Sequence, residues 1–415
     1  MWDALWINTR LATMAGAGYG LIEDGAIAAE GGRIAWVGER AALPAPAREL
    51  ARIVHDEAGR LLTPGLVDSH THIVHAGERC SDYVMRNGGA GRDEIAAAGG
   101  GVRGTVYQTR AASDEALWDQ SVRRVRELIA NGVTTFESKS GYGLDLETEL
   151  RIMRISRALG RRLPVTVKST FLGAHGLAPE YDGRPDDYVL FLARTVLPAA
   201  VQQDLVDAVD GFCDRLGFTH AQIGVLFDAA SAHGLPVKLH ADQYNDFGAG
   251  AVVAKYRGLS ADHLEYASEA TVRAMADAGT IAGLIPGANW TLLETARPPV
   301  ALFRKYGLAM MVATNNNPSS SPTCSPTMMM NMATHLFRIT PEEALAGFTR
   351  VGARALGLGA SHGTLERGKQ ADFAIWDVDH PAELSYRIAV NPCRRVVKEG
   401  TVIHQAVPPQ IAERA

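Results

Sequence analysis

The chain has 415 residues, 47% of them hydrophobic and 21% charged, which excludes a disordered, collagen-like or membrane-embedded protein and leaves room for a large core. Forty-one Lys and Arg against 46 Asp and Glu give −5 with no basic block, so nucleic acid and anionic membranes are poor partners and a small molecule is the expected one. Four scattered cysteines without a C-x-x-C pair, an acidic N-terminus and no apolar run of roughly 18–20 residues point to a cytoplasmic protein.

Residues 1–62 alternate short apolar runs with Gly turns, as in Ala26-Ile-Ala-Ala, Gly31-Gly and Arg33-Ile-Ala-Trp-Val. From about residue 66 onward, β-rich runs alternate with helix-length segments, the pattern of parallel strands joined by crossover helices. Eight strand ends are expected, near His72, Ser138, Thr170, Cys213, His240, His263, Ile285 and Thr314. Ser113 is placed to cap a helix striped by Leu117, Val122, Val125 and Leu128, and Leu146, Leu150 and Met153 stripe the next. Eight such repeats favour a closed (β/α)8 TIM barrel, here 63–362, with its chemistry at the C-terminal ends of the strands. Residues 363–405 return to short strands and turns. The two chain ends, 1–62 and 363–415, are therefore expected to pair into one small β-sandwich domain.

The sharpest local signal is Thr63-Pro-Gly-Leu-Val-Asp-Ser-His-Thr-His, an apolar strand closing on His70 and His72. Alternation puts both imidazoles on one side, where they can converge on a single metal ion. A lone His-x-His is equally a solvated strand end. His240, closing Pro236-Val-Lys-Leu-His, and His263, closing Leu259-Ser-Ala-Asp-His, change that balance. In a barrel all four face one mouth, so His70, His72 and His240 can supply three nitrogen ligands with His263 near a bound water, a catalytic rather than structural arrangement.

These placements, with Gly77-Glu-Arg, Ala98-Gly-Gly-Gly, Glu137-Ser-Lys-Ser-Gly-Tyr-Gly-Leu-Asp, Phe171-Leu-Gly-Ala-His, His240-Ala-Asp-Gln and Ser260-Ala-Asp-His-Leu-Glu-Tyr, resemble the amidohydrolase superfamily, specifically its imidazolonepropionase branch. The resemblance spans nearly the whole chain. It implies one divalent metal, zinc first and iron as the alternative, held by His70, His72 and His240. It also implies hydrolysis of the ring amide of 4-imidazolone-5-propanoate to N-formimino-glutamate by a homodimer. By the same resemblance His263 orients the water, Arg79, Tyr142 and His175 bind substrate, and Asp242 stands where a Glu contacts ring and water. Arg92 occupies the place of a substrate-facing Tyr, and Asn317 lies in the substrate loop.

The last strand departs from the family pattern Ala-Thr-Asp-x-Asn-Pro-Gly, reading Ala313-Thr-Asn-Asn-Asn-Pro-Ser. Asn315 keeps an oxygen able to coordinate but cannot accept a proton, and losing a positioned base forfeits about 10²–10⁴-fold in rate. Asp242 or His263 is then expected to move the proton. Cys324, on the same rim, reads either as a soft ligand or nucleophile or as an inert loop thiol. Two other functions stay open: a desulfhydrase acting on the C=S of the 2-thioxo analogue, 3-(5-oxo-2-thioxoimidazolidin-4-yl)propionate, of ergothioneine breakdown, and a non-catalytic binding protein.

Overall fold

A computed structural model of the chain describes residues 1–407, with the side chains of residues 92 and 93 outside the described set. The last eight positions of the expected terminal domain, 408–415, also lie outside it.

Eight strands run parallel and neighbour one another in chain order: Leu66–Asp68, Val133–Lys139, Thr166–Ala174, Ala208–Cys213, Lys238–Ala241, Ser260–His263, Ile281–Leu284 and Met310–Val312. First and last are joined by backbone bonds just beyond their ends, Asn315 N–H to His70 O at 2.9 Å and His72 N–H to Asn316 O at 2.8 Å. The strand and helix repeats thus close as the (β/α)8 barrel that the alternation predicts. The first strand ends at Asp68, four residues before the expected His72. His70 and His72 instead sit in an extended segment that keeps the strand's alternation through those closing bonds.

Helices cover the barrel for the reasons the sequence supplies. Ser113 Oγ accepts from Ala116 N–H at 3.1 Å and starts Asp114–Ala130, which buries Leu117, Val122, Val125 and Leu128. Each such buried side chain is worth about 1.5–3 kcal/mol relative to exposure. Asp145 caps Leu146–Arg162 in the same way, and its buried face includes Leu150 and Met153.

The chain ends form a separate sheet. Trp2–Ala12 pairs antiparallel with Leu21–Glu30 on one edge and parallel with Ala51–Asp56 and then Leu61–Pro64 on the other. Leu61–Pro64 pairs with Phe373–Trp376, and Cys393–Lys398 and Thr401–Gln405 follow. Register breaks along Trp2–Ala12 let the sheet curl until its turns meet: Ala371 N–H reaches Gly32 O at 3.0 Å and Gly400 N–H reaches Ala371 O at 2.9 Å. Trp6, Ile27, Ile34, Leu62, Phe373, Ile375 and Val397 form one core of this unit. Among the described residues no helix is long and apolar enough to cross a membrane.

Candidate active site

Three imidazoles gather at the barrel mouth. His70, His72 and His240 are buried, and one nitrogen of each lies within 4.8 Å of the others. Two neighbouring carboxylates fix tautomers. Asp262 Oδ2 lies 2.5 Å from His70 Nδ1, and Asp210 Oδ1 lies 3.2 Å from His240 Nδ1. Each aspartate accepts the Nδ1 proton, leaving Nε2 as a lone-pair donor. His70 Nε2 and His72 Nδ1 are buried without a hydrogen-bond partner, a deficit of about 1–3 kcal/mol each that a bound cation removes. Burial, with Lys139 and His240 close by, holds His70 well below the usual imidazole range, and burial with His175 and His240 does the same for His72. Neutral imidazole is the form that ligates metals, so the donor set fits one divalent cation.

Beneath these ligands lies a fully buried charge cluster. Lys139 Nζ is 2.6 Å from Asp210 and 2.9 Å from Glu137, and Lys238 Nζ is 2.8 Å from Glu137. Lys139 also lies 3.9 Å from Asp262. Two ammonium groups among three carboxylates leave one net negative charge under the histidines, which favours a cation above them. Against burial, Asp210 is held well below the usual carboxylate range by Lys139 and His240. None of these five residues was singled out from the sequence as a site residue. The readable signal was charge at alternate positions of apolar strands, Glu137 and Lys139, Lys238 and His240.

A second group adjoins the metal ligands. His175 stacks on His72 with ring centroids 5.1 Å apart, and Tyr142 lies 5.2 Å from His175 and 5.7 Å from His72. Burial pushes the Tyr142 hydroxyl up and the neighbouring Arg79 opposes the shift; Arg79 Nε has no partner, and among the described residues its carboxylate contact is Asp82 at 3.7 Å. Tyr142 is placed by a loop that the buried Glu149 carboxylate gathers, accepting from Gly141, Gly143 and Leu144 N–H at 2.8–3.1 Å. Gly141 is required there: its φ is +99°, and a Cβ would meet Leu172 O at 2.6 Å. His263 completes the ring of imidazoles, 5.5 Å from His240 and 6.0 Å from His70.

The chain matches the Amidohydrolase family over residues 61–403. It is 55% identical to the imidazolonepropionase of Ralstonia nicotianae over 401 residues, 96% of this chain and 98% of that protein. The imidazolonepropionases of Caulobacter vibrioides and Pseudomonas aeruginosa are 52% and 49% identical, with 96% and 97% of this chain and 99% of each relative covered. The chain belongs to the amidohydrolase family, with the imidazolonepropionases. Among solved structures, a 5-methylcytosine deaminase from Klebsiella pneumoniae superposes with a TM-score of 0.75 at 18% identity, covering 98% of this chain and 99% of that one. A triazine hydrolase variant gives 0.76 at 17%, covering 99% and 96%. These distant likenesses share the fold.

Several expected roles move. Asp242 is not free to work on substrate or water: Oδ1 accepts from Phe247 and Ala249 N–H at 3.0 and 2.9 Å, and Oδ2 from Gly250 N–H at 3.1 Å. It ties down the segment that starts helix Ala249–Lys255, and its φ of +50° turns the chain away at the strand end. Asn317 is likewise committed to its own turn. Its Oδ1 accepts from Ser319 and Ser320 N–H at 2.8 Å, and its Nδ2 donates to Asn315 O at 2.7 Å, so it shapes the loop instead of presenting an amide to substrate.

Cys324 sits in a packed environment. It is buried, receives Asn316 Nδ2 at 3.2 Å, and packs against the helix that carries Arg124. Burial, with Glu127 nearby, pushes its thiol far above the usual range, the opposite of a reactive thiolate. Arg92 opens the helix Arg92–Ala97, and its side chain lies outside the described residues. Asn315 is buried at the barrel closure with φ +51°, a left-handed conformation that Asn tolerates better than most residues.

Proposed function

We propose that the chain hydrolyses the ring amide of 4-imidazolone-5-propanoate to N-formimino-glutamate. The observation that carries this reading is the continuity of two groups, the His70, His72 and His240 nitrogens and the Arg79–Tyr142–His175 cluster stacked against them. The full-length relatives named for this activity support it.

In this reading His70, His72 and His240 hold one metal, zinc by their nitrogen chemistry with iron as the alternative. The cation supplies Lewis acidity toward the ring carbonyl. Arg79, with an unpartnered N–H, binds the propionate arm, and Tyr142 and His175 hydrogen-bond the ring. Asn315 contributes a neutral oxygen at most, and Asp242 is occupied, so His263 is the remaining proton carrier. It accepts a proton at Nε2 as the water oxygen bonds to the carbonyl carbon, then returns it to the ring nitrogen as the C–N bond breaks. Water is consumed, one N–H and one carboxylic acid appear, and the acid releases its proton to solvent as it ionises to carboxylate.

The near-50% identity along the whole chain weighs against the sulfur-bearing analogue and against a non-catalytic binder. Four free thiols fit a reducing, cytoplasmic setting, and the homodimer is carried as part of this proposal. The test is to incubate the purified, metal-analysed protein with the oxo and the 2-thioxo compounds while following ring absorbance and sulfide. Turnover of the oxo compound without sulfide supports the reading. Sulfide release, or binding of either compound without turnover under zinc or iron, overturns it.

A further inference from the structure

His263 and Leu264 are consecutive non-glycine residues with left-handed backbone, φ +83° and +66°. Such conformations are costly and cluster where a side chain must be aimed. Here they end the strand Ser260–His263 and bring His263 Nδ1 to 3.9 Å from Glu265 Oε2. Both side chains are buried, at 3% and 2% exposure. Both facing atoms lack any other hydrogen-bond partner. Two buried polar atoms that each lack a partner and face one another are completed by a shift of less than an ångström. Asn289, on the segment after the seventh strand, lies near the Glu265 carboxyl and donates its own Nδ2 to Ala296 O at 2.8 Å.

We propose that Glu265 is the positioning residue of His263, accepting the Nδ1 proton so that the ring's other nitrogen presents its lone pair to the attacking water. This rests on the reading above in which His263 carries the proton. It explains how a site whose last strand supplies Asn315 in place of a carboxylate still has an oriented base. The logic is that of a carboxyl group fixing a histidine tautomer from behind.

The test compares the metal-loaded wild type with His263→Ala, Glu265→Leu and Glu265→Gln on the oxo substrate. Histidine-selective 15N NMR of the same proteins reports the His263 tautomer. Glu265→Leu is expected to lower kcat roughly 10- to 100-fold, the range for a residue that orients a catalytic group from outside it, with KM within about 2-fold. Glu265→Gln retains an acceptor oxygen and is expected to recover most of kcat. The NMR should show the Nδ1-protonated tautomer in wild type and Glu265→Gln and a mixture in Glu265→Leu. The inference is overturned if His263→Ala is inactive while Glu265→Leu keeps wild-type kcat, or if the tautomer is the same in all three proteins. Full activity of His263→Ala overturns the underlying proton step itself. Should Glu265→Leu not fold, the tautomer in wild type decides alone: an Nε2-protonated ring rejects the pairing.

Discussion

Asp262 Oδ2 sits 2.5 Å from His70 Nδ1, with both side chains entirely buried. One contact links the sixth barrel strand to the segment after the first and sets which nitrogen of His70 faces the mouth. Replacing Asp262 by Asn keeps the shape but lets the amide present either an N–H or an oxygen, so the tautomer is no longer enforced. Metal affinity is expected to fall about 10- to 100-fold, read by competition with a chelator of known affinity. Unchanged affinity would mean that Asp262 serves only the Lys139 and Lys238 charges.

The Asn315 backbone already occupies the left-handed region, which Asp tolerates nearly as well. Asn315→Asp therefore restores a carboxylate without demanding a new chain path. Hydrolysis of the oxo substrate is expected to rise by at least about 10-fold, part of the roughly 10²–10⁴-fold that a positioned base supplies. A variant that binds metal as tightly as the parent and turns over no faster refutes this account of what the position lacks.

Glu149 predicts a different outcome because it touches the Tyr142 loop and none of the metal ligands. Its buried carboxylate accepts three backbone N–H groups. Glu149→Ala leaves those donors buried without partners, at a loss of about 2–4 kcal/mol. Thermal unfolding should show the loss, and KM should rise because Tyr142 and Arg79 are no longer held together. A variant with normal KM and lowered stability would show that the loop finds its place without the carboxylate.

How much of this was legible in the sequence depended on whether local pattern or tertiary contact decided the outcome. His70, His72 and His240 could be read because two-residue alternation and strand ends fix where a side chain points. The cap at Ser113 is local too. The partners of Asp242 could not be read, since the amides of Phe247, Ala249 and Gly250 from which it accepts are brought back only by the fold. The contacts of Asn317 within its own turn were not legible either. The buried charges left a trace as Glu137, Lys139 and Lys238 in apolar strands, but their pairing with one another and with Asp210 and Asp262 across four strands is a property of barrel closure.

Cysteine chemistry separates two thiols cleanly. Cys80 is exposed, whereas Cys324 is buried with its thiol pushed up. Iodoacetamide applied to the native protein is expected to modify Cys80 and spare Cys324, as read by peptide mass spectrometry. Cys324→Ala should keep activity within about 2-fold, since no thiolate is available at neutral pH. Inactivation that tracks labelling of Cys324 would return that residue to the site.

The final prediction concerns acid. Burial, reinforced by neighbouring imidazoles and cations, holds His70, His72 and His263 well below the usual range and brings His175 down to about 3. In the unfolded chain these groups titrate near ~6.5. Above that pH both states are neutral and the folded state keeps its full stability. As pH falls through ~6.5 the unfolded chain takes up protons that the folded one refuses, so stability declines progressively from there toward pH 3, where His175 itself protonates. Bound metal opposes this by adding a ligand that only the folded, deprotonated site accepts. Chelated protein should therefore lose melting temperature progressively as pH falls below about 6.5, and metal-loaded protein less so over the same interval. Parallel curves for the two forms would show that the cation is not held by these imidazoles.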